Sequence, residues 1–182
     1  IEAVGVAIER MEPCYVGVTV APNPYGVSRS PSYGIDTRAP YDNLMTVLRF
    51  DNAKTGDPVG MVFSYPAHNT TLSNGAAKNR NLLTSEFTGF ATKYIEEQMN
   101  GKTPDFVAIH LNGATGNAGP LFEGKYNLPY EDMKRAGAEL GQFVFEYYGK
   151  IKADQTYKTV ASLFETVKLE TNQVDISHKS YF

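Results

Sequence analysis

Residues 44–65 read LMTVLRFDNAKTGDPVGMVFSY. Two apolar runs rich in β-branched and aromatic side chains, Leu44–Phe50 and Val59–Tyr65, flank the polar stretch Asp51–Pro58. Runs of strand length on either side of Asn, Gly, Asp and Pro predict two antiparallel strands joined by a hairpin turn. After the second strand a polar loop, His68–Asn81, leads to Phe87, Phe90, Ala91, Tyr94, Ile95 and Met99. Their spacing puts them on one face of a helix over about 85–99, and Asn100-Gly101 ends it. A third apolar run of strand length follows, DFVAIHL at 105–111, and runs into the glycine-rich turn NGATGNAGP at 112–120.

Further out the alternation continues. Met133, Ala136, Leu140, Phe143, Val144 and Tyr147 predict a long helix over Tyr130–Tyr148. Tyr157–Leu169 shows partial alternation and reads as a closing strand. On the N-terminal side, CYVGVTVA at 14–21 reads as a strand, preceded by Val4, Ile8 and Met11 at helical spacing and stopped by Pro13. Between them and the hairpin, Pro22–Tyr41 holds Pro22, Pro24, Pro31 and Pro40 with Gly26 and Gly34, which predicts a long ordered loop without helix or strand. Interleaved strands and helices place the chain in the α/β class, as a mainly buried mixed sheet with helices packed on its faces. No repeat or linker divides residues 1–182, so one domain is expected.

Composition narrows the function. The chain has 182 residues with 42% hydrophobic and 20% charged side chains, which suits one globular core. A net charge of -3 argues against a nucleic-acid partner, which calls for a basic face. No apolar run approaches the roughly 20 residues of a transmembrane helix. Cys14 has no partner for an internal disulfide and is expected to be a small buried hydrophobe. Asn69-Thr70-Thr71 is a glycosylation sequon, with Asn69 the acceptor. The chain opens at Ile1 without an initiator methionine or signal pattern, which points to processing or to a partial sequence.

Sites in open α/β sheets collect in loops beyond the carboxyl ends of strands. Three loops qualify. His68 follows a strand directly, in YPAHNTT, and is either a hydrogen-bonded loop histidine or an imidazole offered to a metal. His110, inside DFVAIHL, reads as a core or sheet-face residue, and His178 as solvated. In the turn at 112–120, Gly113, Gly116 and Gly119 stand three apart. They make either a plain turn or a cradle whose backbone N–H groups meet an oxyanion. Arg29, in SRSPS, is either a surface ion-pair partner or a fork for a carboxylate or amide oxygen. The chain has no HExxH, no GxSxG and no P-loop ending. A nucleotide-binding reading of the glycine loop lacks the GxGxxG spacing.

Taken in order, these segments resemble the amidase domain of the neutral/alkaline (non-lysosomal) ceramidases. The succession is SRSP, then YDNLMTVLRFDNAKTGDPVGMVFSYPAHNTT, then NRNLLTSEFTGFATKYIEE, then FVAIHLNGATGNAGP, and it spans about Ile1 to Leu169. The family runs NRSP, a strand of the type LxxLxF, a histidine motif like HxTS, a helix start like SxDxxGYA, and GDxSPN or GDxNP. The resemblance implies a secreted or lumenal zinc-dependent amidase that cleaves the N-acyl bond of lipid amides, zinc polarising the carbonyl and activating water. It implies His68 as the metal ligand of HxTS, Arg29 as the substrate-binding arginine of NRSP, and Gly116–Pro120 as the turn beside the reaction centre. Within that turn Gly116, Asn117 and Gly119 would supply backbone oxyanion donors.

The chain departs from the family at several points. Asn117 stands where the turn has aspartate, Gly119 where ceramidases have serine, and Glu86 where SxDxxGYA has aspartate. The family's other zinc ligands match no position between Ile1 and Phe182. Zn²⁺ would therefore need ligands from outside this chain, supplied by other segments of the same precursor or by other chains. A catalytically inactive, structural or assembly member of the same fold is the alternative. Asn117 and Gly119 favour it, and 12 tyrosines and 10 phenylalanines could serve an interface.

Overall fold

The computed structural model describes residues 2–29, 40–72, 83–103, 105–125, 127–156 and 164–166. Their elements, in chain order, are α1 (Glu2–Glu9), β1 (Cys14–Pro22), β2 (Gly26–Ser28), β3 (Leu44–Asn52), β4 (Pro58–Tyr65), α2 (Glu86–Met99), β5 (Val107–Asn112), β6 (Ala118–Pro120) and α3 (Tyr130–Tyr148). The expected strand Tyr157–Leu169 and His178 lie outside the described residues, apart from 164–166, which are in no regular structure.

The hairpin forms as its sequence dictates. Asn52 holds the turn, its side-chain oxygen accepting the N–H groups of Lys54 and Thr55, and Gly56 takes the left-handed φ of 78°. β3 pairs antiparallel with β1 on one side and with β4 on the other, and β4 pairs in parallel with β5. The order β1-β3-β4-β5 makes a mixed sheet, with α2 as the crossover between its parallel strands. The α/β class expected from the sequence is observed.

Strand alternation sorts the side chains. Ala21, Met45, Val47, Met61, Phe63, Tyr65 and Ala108 are buried and form one core with Phe87, Ala91 and Ile95 of α2 and Met133, Leu140 and Val144 of α3. The two helices cross closely because α3 carries glycine at the contact. A Cβ on Gly137 would stand 2.4 Å from the Phe87 carbonyl oxygen, and one on Gly141 would stand 2.7 Å from that of Ala91. Arg49 and Asp51 also point inward. The Arg49 Nε donates to both Asp51 carboxylate oxygens at 2.9 and 3.0 Å, and its guanidinium lies 4.9 Å from the centre of the Tyr148 ring.

The other face is covered less than an α/β run suggests. Val18, Val20, Val107, Ile109 and Leu111 point there and stay about half exposed. α1 stands over part of it and buries none of its own residues. Ala7 of α1 and Arg10 just after it, with Phe50, Val62, Val107 and Ile109 below, line a groove of about 780 Å³. Cys14 sits on the wall of that groove, partly exposed rather than buried, because it opens an edge strand on the less covered side.

The proline-rich stretch departs from its expectation too. β1 runs through Pro22, on an outer sheet edge that among the described residues is joined at Val16 by Gln155 and at Pro22 needs no N–H donor. Gly26–Ser28 forms β2, which pairs antiparallel with β6. β6 in turn takes the last three residues of what reads as a turn in the sequence.

Candidate functional site

β6 is the hub that brings the three candidate loops together. Its register with β2 sets Ser28 opposite Ala118, Val27 opposite Gly119 and Gly26 opposite Pro120. One residue further on, the Arg29 N–H donates to the Asn117 carbonyl at 2.8 Å. From the other side, the His68 N–H donates to the Ala118 carbonyl at 3.0 Å. The turn also touches the residues just before His68. Gly113 N–H donates to the Tyr65 carbonyl, and a Cβ on Gly113 would meet Pro66 at 2.8 Å. His68, Arg29 and the glycine turn therefore lie at the same end of the sheet, beyond the parallel strands β4 and β5.

Each candidate has a definite setting. His68 is half-buried at the exit of β4. Gly119 is buried and lies beneath the Arg29 stem, since its Cβ position is 2.7 Å from Arg29 Cδ and 2.9 Å from Cγ. Glycine at 119 thus gives the Arg29 side chain its path across β6, and a side chain there would push against the stem. The Asn117 side chain turns to the proline-rich loop and donates to the Pro40 carbonyl at 2.7 Å. Gly116 is exposed, with open space where a Cβ would stand. Within the turn, the Ala118 N–H is engaged by the Thr115 carbonyl at 3.0 Å. The Asn69 side-chain nitrogen, the sequon acceptor, donates to the Ser85 carbonyl at 3.2 Å.

His110 lies on the helix-covered face opposite Phe63, with ring centroids 5.3 Å apart. Burial holds its pKa below the usual imidazole value, opposed by a hydrogen bond to the Tyr65 carbonyl. Its Nε2 is buried without a partner among the described residues. The Tyr65 hydroxyl is in the same condition, and burial pushes its pKa far above the ordinary phenol value.

The His68 loop also has an anchor that its sequence does not announce. Glu86, the first residue of α2, holds a left-handed φ of 60°. Its carboxylate accepts the Thr71 N–H at 3.0 Å, the Thr71 hydroxyl at 2.7 Å and the Leu72 N–H at 2.9 Å. A non-glycine residue in that region carries strain of about 1–3 kcal/mol, which three charge-assisted hydrogen bonds offset.

A zinc centre takes about four ligands, at least three of them from protein side chains. Among the described residues no group of three or more His, Cys, Asp or Glu could hold a metal ion. His68 alone does not make such a site, and no metal chemistry is assigned to the described residues. Among them, too, no helix is long and apolar enough to cross a membrane.

No protein-family model matches the chain, and no curated protein matches it. Solved structures do. The chain is similar to the neutral ceramidase from Pseudomonas aeruginosa, with 22% identity over 82% of this chain and 24% of that one, at a TM-score of 0.63. A ceramidase complexed with C2 gives 21% identity over 80% of this chain and 23% of that one, at a TM-score of 0.61. The fold is therefore neutral ceramidase-like, and this chain spans about a quarter of the length of the structures it matches.

Proposed function

We propose that this chain forms part of an amide hydrolase of the neutral ceramidase type, acting on N-acyl sphingoid or related lipid amides. The observation that carries the reading is the convergence on β6. Direct backbone hydrogen bonds tie both His68 and the residue bearing the Arg29 fork to adjacent carbonyls, those of Ala118 and Asn117. This happens in a fold shared with ceramidases.

The chemistry of those residues suits an amide. A guanidinium carried over β6 can donate paired N–H groups to a carbonyl oxygen that gains charge during attack. An imidazole at the end of β4 can bind a metal or hold a proton near the same carbonyl. Zinc, if the reaction uses it, takes its remaining ligands from beyond the described residues. The same reading locates the protein outside the cytosol or in a lumen.

The test is release of fatty acid from a fluorescent N-acyl sphingosine by the purified protein, with and without added Zn²⁺. Hydrolysis that falls at least about a hundredfold in both His68→Ala and Arg29→Ala supports the reading. Full activity in both variants overturns it, as does absence of hydrolysis by the folded wild type when the segments that supply its remaining ligands are present.

A further inference from the structure

We propose that Glu86 is a positioning residue for His68: it pins the loop bearing the imidazole to the first turn of α2, so that the ring meets the site in one orientation. That His68 serves hydrolysis rests on the function proposed above. The clamp itself rests only on geometry.

His68 is held from two sides. In front, its N–H donates to the Ala118 carbonyl of β6. Behind it, residues 69–72 are fastened to 85 and 86 by four hydrogen bonds: the Asn69 side chain to the Ser85 carbonyl, and the three that reach Glu86. Both Glu86 carboxylate oxygens are used, one by Thr71 and one by Leu72. Thr71 is fully buried, and its carbonyl accepts the Leu128 N–H at 2.7 Å, so its hydroxyl, N–H and C=O are all engaged. No neutral side chain of similar size reproduces this. Glutamine offers one acceptor oxygen and turns an N–H₂ group toward a backbone N–H. The left-handed backbone at 86 would suit glycine or asparagine better than glutamate, so the conformation alone does not select an acid here. Partnership with the loop does.

A residue that only stabilised the fold would lower the melting temperature of the variant and leave the folded loop unchanged. A positioning residue changes the loop while the fold stays intact. The experiment is NMR on the full 182-residue chain as wild type, Glu86→Gln, Glu86→Asp and Thr71→Val. Thr71→Val removes one of the three bonds at constant shape and keeps the test open if Glu86→Gln does not fold. Amide exchange at Thr71 and Leu72 reads the clamp, and three-bond couplings across His68 χ1 read the ring.

In Glu86→Gln, exchange at both amides should rise at least about tenfold and His68 should average over rotamers, with slow exchange kept in the core of β4. Thr71→Val should show a smaller change in the same direction, and Glu86→Asp should recover most of the wild-type behaviour. A single, unchanged His68 rotamer in Glu86→Gln and Thr71→Val overturns the proposal, whatever the activity. On the N-acyl sphingosine substrate, kcat should fall about ten- to a hundredfold in Glu86→Gln with KM within about threefold. Loss of the single rotamer with kcat unchanged also overturns the positioning role. Absence of hydrolysis in the wild type with the ligand-supplying segments present sinks the proposed function, and the couplings still decide the clamp.

Discussion

The two faces of the sheet are built from the same kinds of side chain and end in different surroundings. On one face Met45, Val47, Met61 and Phe63 are almost fully buried beneath α2 and α3. On the other, Val18, Val20, Val107, Ile109 and Leu111 have a similar apolar character and remain about half exposed, with α1, among the described residues, above part of them. Alternation along a strand states that it has two faces. It does not state which one a helix covers, because that depends on where the crossover and the following helix pack.

The largest expected effect tests the covered face. Phe63 has no exposed surface and touches His110 across the parallel pair. Phe63→Ala should lower unfolding stability by about 3–5 kcal/mol in urea denaturation, through lost transfer energy and an unfilled cavity. A loss below about 1 kcal/mol would break the claim that this face holds the core.

Arg49 comes next. It lies inside the covered face with its partner Asp51, their side chains 21% and 11% exposed. Arg49→Met would leave the Asp51 carboxylate without its bidentate donor and should remove about 2–3 kcal/mol, below the range for a fully buried pair because water still reaches both groups. The double variant Arg49→Met/Asp51→Leu should recover most of that, since the penalty lies in the orphaned charge. Gly137→Ala sharpens the same face at the helix contact. Its methyl would stand 2.4 Å from the Phe87 carbonyl oxygen, which is backbone, so α2 and α3 must part. About 1–3 kcal/mol should be lost even though alanine is the better helix former.

Much of this architecture was legible. The hairpin announced itself through two runs of strand length around Asn52 and Gly56, and α2 and α3 through apolar side chains at helical spacing. The end of β4 marked His68 as a loop residue beyond a carboxyl end. Other features leave no local trace. β2 and β6 are three residues each, too short for alternation to register, and they exist because they pair with each other. The Glu86 clamp joins residues 15 positions apart through a left-handed backbone that no glycine signals. The fit between Gly119 and the Arg29 stem depends on that pairing, so a lone glycine in the sequence reads only as turn chemistry. An apolar run such as 105–111 does not announce that its strand ends the sheet among the described residues, with half of its side chains facing away from the helices.

His110 gives a pH test of the covered face. Its folded pKa lies below the unfolded value of about 6.5, so the unfolded chain binds the proton more readily. The stability that comes from burying the neutral ring is present above the unfolded pKa and is lost as pH falls below it. Between pH 7.5 and pH 5 the melting temperature should drop more in the wild type than in His110→Gln. An equal slope in both would mean that the ring is solvated in solution.

The smallest expected effect decides whether the comparison holds. Ile109 is 47% exposed, beside Val107 and Leu111, on the face away from α2 and α3. Threonine keeps the β-branch that suits a strand and removes apolar surface that is already half in water. Ile109→Thr should therefore change unfolding stability by no more than about 0.5 kcal/mol, the range of ordinary surface substitutions. The same exchange one residue earlier, Ala108→Thr, turns a larger polar group toward α2 and should cost more than about 1 kcal/mol. Two neighbouring positions on one strand thus report on opposite faces, with the strand propensity of the introduced residue held constant. If both cost the same, the face away from α2 and α3 is covered in solution, and the two faces are not asymmetric.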